Sequence, residues 1–389
     1  MLHKTRPMPV PFHKPFLIGS ELSCLQEAVM TGRWQKESEA CLSFFSSYFP
    51  DSRCFLTNSC STALDMALRL LCLQPEDEVI IPAFGYVAVA NAVVLNGARP
   101  VYADVTAADG NICPQSVITA ITPKTKAIIG IHYAGRPFDV EALLTICRQH
   151  NLWLIEDAAQ AMGTATQNKN LGSFGHIACI SFDYLKNISC GQGGLLVVND
   201  PQLAEIAQIA TDSGTDKQKM LEGRQEQFDW VGIGYNIHIN PLGSFFLQQQ
   251  LQALPDITAG RLHTWNRYHQ QLQPLHKAGK LFLPDAAPPH NGHIFYILTD
   301  SLDQRKALRA FLRSHQVFAE HHYSPLAESP FGKSFARQQP TLTNASIYCH
   351  HLLRLPIWNN MPDEVVDTVC TLIHSFYSEY VYLPLQQNQ

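Results

Sequence analysis

The chain has little charge and no basic excess. Asp, Glu, Lys and Arg make up 16% of its 389 residues, with 28 Lys and Arg against 33 Asp and Glu and a formal net charge of -5. It also lacks any Lys/Arg run, whereas phosphate backbones select for basic stripes, so nucleic acid is a poor partner. No internal repeat or low-complexity tract is visible, and 46% hydrophobic residues exclude a disordered tail, a collagen-like repeat and a coiled coil. The opening MLHKTRPMPV carries no apolar secretory segment, and the 11 cysteines are odd in number and scattered. Both features argue against a disulfide framework and for a cytoplasmic, reducing location. Cys72, Cys147 and Cys179 lie in apolar surroundings, where buried structural thiols are expected. The stretch Val79 to Ala98 (VIIPAFGYVAVANAVVLNGA) is uncharged for as long as a membrane-spanning helix requires. Pro82, Gly85, Asn91, Asn96 and Gly97 interrupt it, so a strand, the turn PAFG and a helix account for it without lipid.

What remains is the composition of a globular protein longer than one compact core usually supports. Two packed units are expected, a large one over 1–245 and a small C-terminal one over 246–389. From about Phe55 to Asp212, β-branched runs alternate with helical patterns. Strands are expected at Val79–Ile81, Pro100–Asp104, Ala127–His132, Leu152–Glu156, Ala178–Phe182 and Gly194–Val198. Continuous apolar strands separated by helices indicate an α/β fold whose mostly parallel sheet is covered on both faces, with ligands at the strand C-terminal ends. Ser213 to Asp229 (SGTDKQKMLEGRQEQFD) reads as a polar excursion. Helices are expected at Leu242–Leu254 and Trp265–Leu275. From about Ile294 a smaller α/β unit reads as a strand at Phe295–Leu298 and helices at Gln304–His315 and Pro362–Glu379.

Four places put polar residues where a buried ligand would need them. Thr57-Asn58-Ser59-Cys60-Ser61-Thr62 precedes the helical pattern ALDMALRLL; small hydroxyl residues opening a helix leave N–H groups and the positive dipole end for a phosphate, or form an ordinary cap. Glu156 and Asp157 end the strand LWLIE and need a cationic partner, either a protonated pyridine nitrogen or a structural salt bridge. Lys186 follows the strand ACISF beside Gly191-Gln192-Gly193-Gly194, in a position to react with an aldehyde once desolvation lowers its pKa. That glycine run precedes a strand and lacks the spacing of a dinucleotide fingerprint, which removes the main support for an oxidoreductase. Tyr86 follows the strand VIIP and could stack on a flat ring or fill core. Together these are the requirements of pyridoxal 5'-phosphate.

The run IEDAAQAMGT…LGSFGHIACISFDYLKNISCGQGGLLVVND resembles the signature of the DegT/DnrJ/EryC1/StrS sugar aminotransferases. The resemblance extends through VPFHKPFLIGSEL, FLTNSCSTALDMAL, DEVIIPAFGYVAVANAVVLNGARPVYADV, IHYAGRPFD, HHYSPLAESP and LLRLPIWNNM. It implies an aspartate aminotransferase-like transferase of fold type I and a homodimer with active sites shared across the subunit interface. Its reaction is amination of a nucleotide-linked keto sugar, TDP-4-keto-6-deoxyglucose, at carbon 4 with glutamate as donor. Amination at carbon 3, a 4-amino product of opposite configuration, or a catalytically silent cofactor-binding protein stay open. The family pattern puts the cofactor-bearing lysine on Lys186, the ring-nitrogen carboxylate on Asp157 and the phenolic-oxygen contact on Gln160. Ser181 and the Ser59-Cys60-Ser61 turn take the phosphate, Tyr86 the ring face, and His322 and Tyr323 the sugar.

Where the family commonly carries a segment reaching the partner's cofactor phosphate, this chain has Gly234-Tyr235-Asn236-Ile237-His238, then Asn240-Pro241-Leu242-Gly243, with Pro241 and Gly243 replacing an acidic residue and a glutamine. Asn236 and His238 are the corresponding contacts. Gln192 stands for the usual glutamate, and Arg136, after His132-Tyr133-Ala134-Gly135, could meet a substrate diphosphate or lie solvated at the surface. His321-His322 and His350-His351 lack a second ligand pair at a recognised spacing, so no metal is expected.

Overall fold

Apolar runs bounded by turn residues become the strands of one seven-stranded sheet. The structure is a computed structural model and describes residues 9–32, 37–287, 289–335 and 342–379. Two helices, α1 (Glu21–Thr31) and α2 (Glu37–Tyr48), precede β1 (Arg53–Thr57). The chain then alternates through α3 (Cys60–Arg69), β2 (Glu78–Pro82), α4 (Val87–Leu95), β3 (Arg99–Ala103), α5 (Pro114–Ala120), β4 (Thr125–Ile131), α6 (Val140–His150) and β5 (Trp153–Asp157). A short hairpin, β6 (Ala165–Thr166) and β7 (Lys169–Asn170), leads to β8 (Ile177–Ser181) and β9 (Gly194–Val198). The sheet order is β1-β9-β8-β5-β4-β2-β3. Pairing is parallel throughout except for β9, which runs antiparallel to both its neighbours.

Both faces are covered, which is why β2, β8 and β9 are buried from end to end. Ile81, Ile129, Ile155 and Leu196 pack under α3 and α4, while their chain neighbours Ile80, Ile128 and Leu154 pack under α5 and α6 on the other face. Further along that second face, Leu56, Ile180 and Val197 meet Phe45 of α2.

After β9 come α7 (Pro201–Thr211), α8 (Lys217–Leu221), α9 (Pro241–Gln252) and the 24-residue α10 (Leu254–Lys277). A second core forms from α10, β10 (Tyr296–Leu298), α11 (Leu302–Ser314), β11 (Leu352–Arg354) and α13 (Asp363–Glu379), while α12 (Thr343–His351) packs Ala345, Tyr348 and Cys349 into the first core. Trp265, Leu308, Leu353, Val366 and Ile373 are buried together in the second core, and β10 pairs antiparallel with β11.

Several expectations change. The helix expected at Trp265–Leu275 begins eleven residues earlier, at Leu254, because Pro255 is tolerated in a first turn. The division expected after residue 245 falls inside α9, whose Leu247 and Leu251 pack with Phe45 beneath the large sheet. β1 and β11 were not among the expected strands. Part of the excursion at Ser213–Asp229 is α8. Cys72 is exposed at the end of α3, with a φ of 50°, rather than buried, whereas Cys147 and Cys179 are enclosed. Val79–Ala98 divides into β2, a turn and α4, and no helix of the described residues is long and apolar enough to cross a membrane.

Candidate active site

Parallel register brings the chemistry to one edge of the sheet. Ile131 pairs with Asp157, Asp157 with Cys179, and Ser181 with Gly194, which also pairs with Thr57. The C-terminal ends of β4, β5, β8 and β1 therefore meet around the start of β9, and each delivers a polar residue or a loop.

The two carboxylates ending β5 face opposite sides, as alternation along a strand requires. Glu156 is a structural group. It accepts from His132 Nε2 at 2.8 Å and from the N–H groups of Gly172, Phe174 and Gly175 at 2.9, 2.7 and 2.6 Å. Burial works against its ionisation, yet these bonds hold its carboxyl below the usual range. Asp157 is the contrasting case: it is 6% exposed, accepts only the Ala159 N–H at 3.0 Å, and has no cation within ion-pair distance among the described residues. Desolvation pushes its pKa up, against the Ala159 bond and the Lys186 charge. A buried carboxylate with so little compensation calls for a cationic ligand.

The turn after β8 presents Lys186. Asp183 accepts the Leu185 N–H through Oδ1 at 3.0 Å and the Lys186 N–H through its carbonyl at 2.9 Å. Asn187 then anchors the turn to the other core: its Nδ2 donates to the Asn291 carbonyl at 3.2 Å, and its Oδ1 lies 2.7 Å from His293 Nδ1. Lys186 is partly buried, and desolvation lowers its pKa, opposed by Cys60, Asp157 and Asp183 and reinforced by Arg354.

At the N-terminus of α3, Ser59 caps the helix by accepting the Thr62 N–H at 3.1 Å. The first helical bond runs from Ala63 N to the Ser59 carbonyl, so the Cys60 and Ser61 N–H groups project from the helix end. Cys60 lies within electrostatic range of Asp157 and Lys186. Gly194 runs directly beneath this helix end; a Cβ there would stand 2.5 Å from Cys60 N and 2.6 Å from the Ser59 carbonyl oxygen. Ser181, buried at the end of β8, accepts the Asp183 N–H at 3.3 Å.

An aromatic wall closes the opposite side. The Tyr86 ring, 59% exposed, lies 6.1 Å from Tyr323, which stacks on His322 at 4.0 Å. Gln160 already holds two partners, accepting the Ala134 N–H at 2.7 Å and donating to the Tyr323 hydroxyl at 3.1 Å. His322 Nε2 is hydrogen-bonded by Arg354 Nη1, and its Nδ1 is 3.3 Å from the Tyr133 hydroxyl. Arginine only donates, so Nε2 accepts and the imidazole proton sits on Nδ1. Burial and the neighbouring Arg354 and Lys186 charges keep this histidine neutral.

Lys186, Asp157, Cys60, Ser59, Ser181, Gln160, Tyr323 and His322 thus converge on one edge, with Ser61 and Tyr86 at its exposed rim. Arg136 does not join them: it is 2% exposed and lies over the Trp265 ring at 5.4 Å, neither solvated nor beside Lys186. Asn236 and His238 lie on an outer ridge, where His238 Nε2 is 3.5 Å from Asp212 Oδ1. Pro241 and Gly243 have a local explanation: Pro241 fills the first position of α9, and Gly243 donates its N–H to the capping Asn240 side chain at 2.8 Å. Among the described residues no three His, Cys, Asp or Glu side chains gather as a metal site. Sequence reasoning missed Asn187, His293, Asn291 and Arg354; only Asn187 had a signal, its adjacency to Lys186.

A desolvated lysine, an uncompensated buried carboxylate and a helix end with projecting N–H groups fit pyridoxal phosphate, which brings an aldehyde, a basic ring nitrogen and a phosphate. The comparisons agree. The model of the DegT/DnrJ/EryC1/StrS aminotransferase family matches residues 20–374. The spore coat polysaccharide biosynthesis protein SpsC of Bacillus subtilis (strain 168) is 27% identical over 374 residues, covering 92% of this chain and 95% of that protein. An aminotransferase from Psychrobacter cryohalolentis superposes with a TM-score of 0.87 at 25% identity, over 95% of this chain and 99% of that one. The PLP form of the putative sugar aminotransferase Spr1654 from Streptococcus pneumoniae gives 0.82 at 23% identity, over 94% and 99%. The fold is that of the type I pyridoxal phosphate-dependent transferases, and pyridoxal phosphate is the cofactor of this family. The chain belongs to the DegT/DnrJ/EryC1/StrS family of sugar aminotransferases.

Proposed function

We propose that this aminotransferase moves the amino group of glutamate to carbon 4 of a nucleotide-linked 4-keto-6-deoxyhexose, TDP-4-keto-6-deoxyglucose. The observation that carries the reading is the pair of the desolvated, partly buried Lys186 and the buried Asp157 at the strand ends, facing the N-terminus of α3. When bound, pyridoxal phosphate supplies an electron sink for the pair left behind as a proton leaves the amine-bearing carbon. Asp157 keeps the ring nitrogen protonated. The Cys60 and Ser61 N–H groups, with Ser59 and Ser181, hold the phosphate, and Tyr86 covers a ring face. Gln160 keeps one amide hydrogen beyond its Tyr323 bond for the phenolic oxygen. Lys186 Nζ, with its pKa brought down by desolvation, takes the proton from one carbon and returns it to another. His322 and Tyr323 line the sugar side.

The reading includes a homodimer with shared sites in the cytoplasm, in which Asn236 and His238 reach the partner's cofactor phosphate. Its support is the apolar ridge around them: Trp230 and Ile233 are 80% and 72% exposed, with Val231 and Tyr235 beside them. The test is incubation of the holoenzyme with TDP-4-keto-6-deoxyglucose and L-glutamate. The expected result is release of 2-oxoglutarate and, by NMR, an amine on carbon 4. Amination at carbon 3 would replace the substrate assignment, and no 2-oxoglutarate would overturn the reading.

A further inference from the structure

Two hydrogen bonds beside Lys186 cross between distant parts of the chain. The loop that carries the lysine is closed at its base, where Phe182 donates its N–H to the Gly193 carbonyl at 2.9 Å and accepts the Cys190 N–H at 3.1 Å. Above that base, the bonds from the Leu185 and Lys186 N–H groups to Asp183 shape the loop but travel with it. The bonds of Asn187 do not. Its side chain, buried, donates through Nδ2 to the Asn291 carbonyl at 3.2 Å and meets His293 Nδ1 at 2.7 Å, 104 and 106 residues along the chain.

The direction of each bond is fixed. A carbonyl only accepts, so Nδ2 faces Asn291 and Oδ1 faces the imidazole, which donates from Nδ1. His293 is buried, and desolvation with the Lys186 and Arg261 charges keeps it neutral, so Nδ1 holds its single proton. The segment that presents it is held from behind. Arg261 of α10 reaches the Gly292 and His293 carbonyls at 3.2 and 2.8 Å, and the Trp265 indole donates to the Ile294 carbonyl at 3.1 Å. Asn291, fully enclosed, faces the other loop of the site. Its Nδ2 donates to the Gln160 and Met162 carbonyls, each at 2.8 Å, while its Oδ1 accepts the His293 N–H at 3.0 Å. One segment ahead of β10 therefore meets the turn that follows Asp157 on one side and the lysine loop on the other.

We infer that His293 is a positioning residue for amine transfer: through Asn187 it sets where the backbone of Lys186 stands relative to Asp157 and Gln160. The inference rests on the aminotransferase reading above. Lys186 Nζ has to serve two carbons in turn, and a base displaced by about 1 Å loses up to about 100-fold in rate. A loop tied at Asn187 confines the movement to the lysine side chain. Without the Nδ1 donor, Asn187 Oδ1 is buried with no partner, so the loop is driven to shift until water reaches it.

The test uses the full chain in four variants. His293→Phe keeps a flat ring and removes the donor; His293→Asn can place its Nδ2 near the Nδ1 position; Asn187→Ala removes the acceptor; His293→Phe/Asn187→Ala removes both. In apoenzyme, hydrogen exchange read by mass spectrometry should be faster over residues 183–190 in His293→Phe and near wild type in His293→Asn. Uptake of pyridoxal phosphate onto Lys186, followed by absorbance and fixed by borohydride, should slow about 10-fold or more in His293→Phe. In amine uptake from L-glutamate by the holoenzyme, the maximal rate should fall about 10- to 100-fold in His293→Phe, with the half-saturating concentration changed less than about 3-fold. His293→Asn should recover to within about 5-fold of wild type, and the double variant should lose no more than the worse single variant. A structural role alone would make the rates follow the melting temperatures and the double variant lose the product of the single losses. Either result, or unchanged rates in His293→Phe, would overturn the inference. Should His293→Phe not fold, Asn187→Ala has to show the same split between rate and half-saturation, and its absence overturns the inference as well. If wild type takes no amine from L-glutamate, the donor reading fails, while exchange and cofactor uptake still decide on His293.

Discussion

Adding a single methyl group at Gly194 should loosen the cofactor without touching any side chain that binds it. Ordinary contact begins at 3.4 Å, and the new Cβ would stand 2.5 Å from Cys60 N and 2.6 Å from the Ser59 carbonyl oxygen, with the Ser59 carbonyl carbon as close. An overlap of about 1 Å lies on the steep repulsive side of the contact potential. Neither side can give. β9 is held in register by β1 and β8, and the Ser59 turn is held by the Thr57 hydroxyl at 2.9 Å and, one residue earlier, by the Asn58 N–H on the Ile237 carbonyl at 2.7 Å. Overpacking of this kind costs about 1–3 kcal/mol. It should appear as a melting temperature a few degrees lower and, because α3 must tilt away, as a tenfold or greater rise in the dissociation constant of pyridoxal phosphate. Titration of apoenzyme followed by absorbance measures the affinity. Gly191→Ala is the control: its φ is +84° but nothing lies within 4 Å, so strain is introduced without a clash at α3. If Gly194→Ala binds the cofactor as tightly as wild type, the reasoning about the helix end is refuted.

Lys186→Ala should bind pyridoxal phosphate that borohydride no longer fixes to the chain, and lose about 1,000-fold or more in turnover. Fixation at another lysine, detected by peptide mass, would move the site. Asp157→Asn should leave the apoenzyme at least as heat-stable as wild type, because an unpaired buried carboxylate is removed, while most turnover disappears; unchanged kcat would take Asp157 out of the mechanism. Acid stability should be set in part by histidines. Burial pushes His13 down to about 4 and His290 to about 3, so below the ordinary value of 6.5 the unfolded chain binds protons that the native one refuses. Stability therefore falls as pH drops from 6.5 toward 4, and the double variant His13→Gln/His290→Gln should show a shallower decline in a denaturant series across that range.

Where a residue's role follows from its neighbours along the chain, the sequence revealed it. β9 was expected at Gly194–Val198 and lies there, because four buried apolar residues between glycines and Asn199 leave little choice. The parallel strands were legible for the same reason, and with them the edge that collects Asp157, Ser181 and Lys186. The division of labour between Glu156 and Asp157 was not, since alternation says that the two diverge but not which side holds the loop amides of residues 172–175. Arg354 was illegible: β11 is three residues long, and nothing within LLRLP says that a guanidinium from the second core ends beside a lysine of the first. The burial of Arg136, expected either to meet a substrate diphosphate or to lie solvated, was illegible for a related reason, because Trp265, 129 residues away, covers it.

The opposed carboxylates of β5 make this strand intolerant of a change in length. Inserting or deleting one residue ahead of Glu156 would switch the faces of the two, turning the amide-bound carboxylate to the cofactor side and Asp157 to the side where His132 and three loop N–H groups wait. Such a frameshifted strand could keep its hydrogen-bond ladder and still assemble a protein with its acid on the wrong face. The turn after β8, fastened at Asp183 and Asn187, leaves Gly191 in open space, and there a length change would be absorbed. Tolerance to insertion along this chain should therefore reach its minimum at a two-residue step in the middle of a strand, not in the loop that carries the lysine.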